Sequence, residues 1–284
     1  MQYQSLAVLV KNIPGIHGIV TSDAWQSIRY RMTLAVDPRR NAHFTQFLRL
    51  PTQYEALAGP VMDFLLSDRI ERPLKITVLG CSNGAEVYSI ASVLHMSAPA
   101  VQIDIGGYDI VGEAIEKAKR AEYESQKIFN NNTITQAFVN ETFTRKESLY
   151  NVKADIAANV HFDVGDVLDP ALKEVAGASD IVYAQNVLVH LKPSMAIKAF
   201  RNIHSLLKPR AALFIDGMDL GMKVKLTRRY RLIPLEYEIE KIHNEARKTR
   251  GYAWPYMYWG LEPYVTSRRN SVRRYATIFY KADT

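Results

Sequence analysis

KITVLGCSNGAEVYSI, residues 75–90, decides the fold. Its β-branched run Ile76-Thr77-Val78 continues to Leu79 and stops at Gly80. A small polar loop follows, Cys81-Ser82-Asn83-Gly84, and a helical pattern then opens with Glu86 and Tyr88 in its first turns. A strand, a tight glycine turn and a helix start make room for a nucleotide-like ligand in a doubly wound α/β domain. Glycine lets the backbone approach such a ligand without a Cβ in the way. The same elements also occur as a plain strand-to-helix turn, so the residues downstream decide.

Downstream, VQIDIGGYDI (Val101–Ile110) reads as a second apolar strand carrying Asp109 at its tip, 29 residues after Gly80. A carboxylate there accepts two hydrogen bonds from a ribose diol. It is equally suited to cap the helix expected over Val111–Glu122. Val160–Val164 predicts a third strand that leads into Gly165-Asp166-Val167. Asp180–Ala184 predicts a fourth that leads into Gln185-Asn186, and Ala211–Ile215 a fifth. Polar residues therefore stand at the carboxyl ends of four successive strands, the edge where an open α/β sheet binds its ligand.

These residues resemble the chemotaxis-receptor (CheR-type) branch of the class I S-adenosylmethionine-dependent methyltransferases. GCSNGAEVYSIA (Gly80–Ala91) is similar to that family's GCSxGxExYSxA signature, and YDIVGEAIEKAKRAEY (Tyr108–Tyr123) to its second block. AQNVLVHL (Ala184–Leu191) is similar to its RNVLIYF block, HFTQFLRLPTQYEAL (His43–Leu57) to TxFFRxxxxFxxL, and LFIDGMDL (Leu213–Leu220) to LFLGxSEx. The five blocks occur in the family's order over roughly residues 43–220.

The resemblance implies a Rossmann-like α/β fold with a seven-stranded, mostly parallel sheet and S-adenosyl-L-methionine as cofactor. It implies that Gly80, Cys81, Ser82 and Gly84 line the methionine end, that Glu86 reaches the amino group and that Asp109 holds the ribose. Asp166 and Val167 would flank the adenine, and Asn186 would approach the sulfonium. Asn83, Ile110 and Val187 complete the implied cofactor contacts. Arg49 would reach over the cofactor toward the acceptor, with Tyr88 and His190 as the other candidates at the reacting end. Departures from the pattern are Gln185 for Arg, His190-Leu191 for Tyr-Phe, Leu48 for the second Phe and Met218-Asp219 for Ser-Glu.

Two regions lie outside the resemblance. Residues 1–42 match the family's helical docking domain poorly; a helical region over 1–70 is expected to precede the cofactor domain, 71–284. A lid insertion of about 221–264 precedes a last strand near Tyr275–Tyr280. Within it Leu235, Ile239, Ile242 and Ala246 share a helical face; Glu240 and His243 on the same helix are each able to act as a base, but a solvated face is the expectation for both. GYAWPYMYWGLEPY (Gly251–Tyr264) then packs two tryptophans and four tyrosines into 14 residues. Aromatics bury large area, so plain packing would explain this density. The expectation is instead a pocket wall in which Trp254, Tyr256, Tyr258, Trp259 and Thr45 enclose a small-molecule acceptor methylated at oxygen. The alternatives are a protein-glutamate acceptor on a chemoreceptor, and a non-catalytic cofactor-sensing or nucleic-acid-binding module.

Composition narrows the class further. The chain has 284 residues, 48% of them apolar, enough for one sizeable core. The single cysteine, Cys81, excludes a disulfide framework and a multi-cysteine zinc site, and no metal is expected. It reads as a packing residue rather than a nucleophile. No apolar run approaches a membrane span and no signal peptide is legible, so a cytoplasmic protein is expected. Net charge is +7, and residues 221–284 hold 14 Lys/Arg against 6 Asp/Glu. The basic residues fall in isolated pairs, which favours a solvated surface over a nucleic-acid stripe. His190 follows Asn186 by one helical turn, where it is equally suited to be a base or a buried structural histidine.

Overall fold

The computed structural model describes residues 19, 22–36, 45–67, 72–129, 132–249 and 256–282. Ten strands are described: β1 (Leu74–Leu79), β2 (Ile103–Asp109), β3 (Glu122–Glu124), β4 (Phe143–Lys146), β5 (Leu149–Val152), β6 (Val160–Val164), β7 (Ser179–Gln185), β8 (Leu207–Asp216), β9 (Ile233–Pro234) and β10 (Ile278–Lys281). Seven form one sheet in the order β6-β2-β1-β7-β8-β10-β9. The first five of these run parallel, while β10 pairs antiparallel with both β8 and β9. β1 is buried on both faces, with Leu74, Ile76 and Val78 enclosed on one and Thr77 and Leu79 on the other.

The chain leaves β1 toward β2 and β6, then returns to β7 on the other side. That reversal opens a crevice at the carboxyl ends of β1 and β7. Two glycines let the loops above it close together. A Cβ on Gly80 (φ +67) would stand 2.8 Å from Val187 Cγ2, and one on Gly217 (φ +66) 2.7 Å from Asn186 Cα. Gly80 thus seats the β1 loop on the loop after β7, and Gly217 seats the β8 loop there too.

A second, antiparallel sheet, β3-β5-β4, projects between β2 and β6. Its short strands gave no signal in the sequence. Its inner face carries Tyr123 and Phe143, which meet Phe47 edge-on with ring centroids at 4.8 and 5.1 Å. Phe47 is fully buried, so this small sheet anchors the segment around it against the domain.

Three expectations meet the structure here. Within the region expected to be helical over 1–70, residues 45–50 form no helix, and Leu48 has φ +44. A leucine in that conformation breaks a helix, and the helix starts instead at Pro51. Phe44 and residues 41–43 lie outside the described residues. Within the segment expected as a lid insertion, Leu220–Arg229 is a helix and Ile233–Pro234 forms β9, which pairs with β10 in the main sheet. His243 is buried, not solvated, at 1% exposure. Among the described residues no helix is long and apolar enough to cross a membrane.

At the amino ends of the parallel strands, Asp180 ties three elements. It accepts a two-pronged bond from Arg72 at 2.7 and 2.6 Å, one from Lys208 at 2.9 Å and one from the Lys75 amide at 2.8 Å. Burial alone would raise this carboxyl. Arg72, the Lys75 amide and Lys208 outweigh it and hold the group below the usual aspartate range. A depressed pKa contributes stability above the unfolded value that is lost as pH falls through the folded one. Asp180→Asn is therefore expected to cost about 2–3 kcal/mol at pH 7, less than a wholly buried pair because Arg72 faces solvent. The deficit should shrink below about pH 4, and urea melts at pH 7 and pH 3 check both statements.

Candidate active site

Glu86 opens the helix Ala85–Ser97 at the glycine loop. Its carboxylate makes no hydrogen bond or ion pair among the described residues. Burial raises its pKa to about 7, opposed by the nearby Arg49 guanidinium. A carboxylate left in that state at the ligand edge suits a cationic group.

Asp109 sits at the tip of β2 and is 8% exposed. One oxygen accepts the Ser82 amide at 2.8 Å and the other the Val111 amide at 2.9 Å. It therefore joins the glycine loop to the next loop, and each oxygen keeps a lone pair for a diol. It does not cap the helix Gly112–Arg120, whose first turn begins beyond Val111. Tyr123 Oη donates to the Asn83 carbonyl at 2.6 Å and steadies the same loop. Cys81 is buried; burial pushes its thiol up, and the Asp109 and Glu86 carboxylates push it further, which disfavours a thiolate.

Beyond β2, Ile110 is 40% and Val164 55% exposed. These uncovered apolar groups flank the strand tips where the resemblance puts the adenine. Asp166 Oδ1 accepts the Leu168 amide at 2.9 Å, and the Val167 carbonyl accepts Asn202 Nδ2 at 3.0 Å. Asn186 takes φ +56, which Asn tolerates, and its amide donates to the Asp216 carbonyl at 3.0 Å.

Arg49 is placed by its neighbours. The Leu48 amide donates to Ser89 Oγ at 3.0 Å, and the Leu48 carbonyl accepts Thr133 Oγ1 at 3.0 Å. Thr52 binds Glu245 through Oγ1 at 2.5 Å and through its amide at 3.2 Å. Gln185 Nε2 donates to Gln53 Oε1 at 2.8 Å, and Gln53 Nε2 to Thr277 Oγ1 at 2.6 Å. The guanidinium so held faces Glu86, Asp216 and Tyr54, and burial lowers its pKa. Thr45 is half-buried at the start of this segment.

The other reacting-end candidates separate. Tyr88 Oη donates to the Ala118 carbonyl at 3.0 Å, toward the helix Gly112–Arg120, so Tyr88 does not join Arg49. His190 pairs its Nδ1 with Tyr258 Oη at 3.3 Å and meets the Trp259 ring edge-on at 5.6 Å. Tyr258 and Trp259 are 1% and 8% exposed, packed with Leu50, Val189, Ala246 and Leu261. Tyr256 Oη donates to Asp23 at 2.7 Å, fastening this cluster to the helix Asp23–Val36. Trp254 lies outside the described residues. The cavity beside Tyr258, lined also by Tyr30, Leu188, Met218 and Met222, holds about 10 Å³, room for one water.

Asp216, Lys223, Tyr54 and the Gln53–Gln185 pair were missed in the sequence. Asp216 had a signal, since it ends an apolar strand as Asp109 does. Lys223 had none, for a fully enclosed lysine is rare; it donates to the Ala276 carbonyl at 2.8 Å, and burial lowers it to about 8.

The donor set fits the cofactor. Glu86 answers an ammonium, Asp109 a ribose diol, and the glycine loop gives close backbone contact. Residues 43–237 match the family described as CheR methyltransferase, SAM binding domain. The chain is 31% identical over 188 residues to a probable biofilm formation methyltransferase WspC of Pseudomonas putida, covering 65% of this chain and 43% of that one. It is 26% identical over 179 residues to chemotaxis protein methyltransferase 2 of Vibrio cholerae, covering 62% and 61%. The chain spans about half the length of the curated relatives it matches first. These relatives overturn the expected small-molecule acceptor. Tyr258 and Trp259 are buried in an apolar cluster with Leu50, Val189, Ala246 and Leu261 rather than exposed toward an open site.

Asp109→Ala is expected to weaken S-adenosylhomocysteine binding at least 10-fold, the loss of charge-assisted bonds to the diol. It should also lower stability by about 1–2 kcal/mol, because the Ser82 and Val111 amides lose their acceptor. Titration calorimetry and a thermal melt check the two effects separately.

Proposed function

The chain belongs to the CheR methyltransferase family, and on that premise we propose that it esterifies glutamate side chains of a receptor-type signalling protein. The Vibrio cholerae relative named above, a chemotaxis protein methyltransferase, supports a protein acceptor. The observation that carries the reading is Arg49, held by Leu48, Thr52 and Gln53 beside Glu86 at the carboxyl edge of the sheet.

Bound S-adenosylmethionine supplies an electrophilic methyl on a sulfonium. Glu86 holds its ammonium, Asp109 its ribose, and Asp166, Val167 and Ile110 surround its adenine. Asn186 and Val187 close over the β1 loop at the reacting end. Arg49 binds the acceptor carboxylate in a two-pronged geometry that lysine does not reproduce. A glutamate carboxylate is already ionised at neutral pH, so no side chain needs to take its proton. His190 accordingly serves through its contact with Tyr258, and catalysis is mainly the alignment of two reactants.

Incubation with methyl-labelled cofactor and a chemoreceptor cytoplasmic fragment tests the proposal. Alkali-labile label on glutamate is expected, and label that resists alkali, or none, refutes it. Arg49→Ala is expected to lower kcat/KM for that fragment about 100-fold, roughly 2.7 kcal/mol, while Arg49→Lys recovers only a small fraction.

A further inference from the structure

Tyr123 lies in β3 of the small sheet, is 4% exposed, and touches two separate parts of the site. Its hydroxyl donates to the Asn83 carbonyl at 2.6 Å, across 40 residues of chain. Burial holds the phenol well above its usual range, so it keeps its proton as a donor. This bond is one of three ties on the glycine loop. The Ser82 amide is bound to Asp109 at 2.8 Å, and the Gly84 amide to the Cys81 carbonyl at 3.0 Å. With the Asn83 carbonyl held as well, the peptide between Asn83 and Gly84 cannot turn over without breaking a buried hydrogen bond.

The ring of Tyr123 makes the second contact. It meets Phe47 edge-on, with centroids 4.8 Å apart and planes at 83°, and Tyr88 and Phe143 stand at 6.3 Å each. Phe47 is fully buried and lies two residues before Arg49. Leu48 between them has its amide bound to Ser89 and its carbonyl bound to Thr133. The seat of Phe47 on Tyr123 therefore fixes where the turn that carries Arg49 begins. Tyr123 itself is held by its strand, paired in register with Tyr150 of β5.

We propose that Tyr123 is a positioning residue shared by the two halves of the reaction: its hydroxyl sets the cofactor loop, and its ring sets the segment that carries Arg49. The small sheet is then a brace between cofactor and acceptor. The proposal rests on the methyl-transfer reading, but its deciding measurements do not involve the acceptor. A residue that served stability alone would weaken both halves together. Two distinct contacts instead predict effects that separate.

S-adenosylhomocysteine affinity of the full chain is measured by calorimetry, and amide hydrogen exchange is followed over residues 45–50 and 81–84, at a temperature where melts show every variant folded. Tyr123→Phe removes the hydroxyl and keeps the ring. It is expected to weaken binding 5- to 10-fold and to speed exchange over 81–84, with exchange over 45–50 unchanged. Phe47→Leu keeps the hydroxyl bond. It is expected to leave affinity within twofold and to speed exchange over 45–50 at least fivefold. With the receptor fragment, Tyr123→Phe is expected to raise KM for S-adenosylmethionine with kcat within twofold, whereas Phe47→Leu lowers kcat/KM for the fragment about 10-fold at saturating cofactor. Affinity within twofold of the parent in Tyr123→Phe, or equal losses of affinity in the two variants, would overturn the proposal. Should Phe47→Leu fail to fold, Phe47→Met gives the same comparison. A chain that passes the binding and exchange measurements yet leaves the receptor fragment unlabelled refutes only the acceptor assignment. A wild-type chain that does not bind S-adenosylhomocysteine refutes both.

Discussion

Leu48 is pinned at both of its backbone polar groups, the amide by Ser89 and the carbonyl by Thr133. That double restraint, in a left-handed conformation, aims the next residue at the crevice. The rest of the site depends on it. Phe47 on one side sinks into the small antiparallel sheet, and the helix from Pro51 docks on the tips of β7 and β10 through Gln53. Arg49 is thus fixed by a segment that precedes the sheet, while the groups it faces come from the sheet itself.

The electrostatics follow from burial. Arg49, Glu86, Asp216 and Lys223 share a region of low dielectric, where an uncompensated charge is expensive. Their signs alternate between neighbouring elements, so opposite charges meet across the edge. Glu262 acts in the same way in the next layer outward. Arg268 binds it at 2.8 Å and Arg274 at 2.5 Å, which absorbs some of the cationic surplus of the C-terminal region.

The main sheet was legible because each parallel strand is an apolar run that ends in a turn or a polar tip. Gly80 to Gly84 and Asp109 stand where that pattern put them. The sheet β3-β5-β4 was not legible: EYE, FTRK and LYNV are too short and too polar to signal strands, and they are stabilised by Phe47 and Phe138 from elsewhere. The aromatic stretch was visible, but not whether it walls a pocket or fills a gap. Tyr30 of the helix Asp23–Val36 meets Tyr258 with ring centroids at 6.3 Å, and local sequence does not report such a contact. His243 was misplaced for a related reason. Helical periodicity marked Ile242 as inward, but the side chain beside it finds the Glu262 carbonyl across the fold.

The helix after Pro51 carries a wider turn at Leu57–Val61, where Pro60 lacks the amide that regular helix geometry needs. The Pro60 carbonyl is taken by Tyr280 Oη at 3.0 Å, and Gln53 in the same helix is taken by Thr277. These partners lie 220 and 224 residues away along the chain. The helix next to Arg49 therefore draws its polar partners from the far end of the chain, and substitutions at Thr277 or Tyr280 reach the ligand edge through it although neither residue lines that edge.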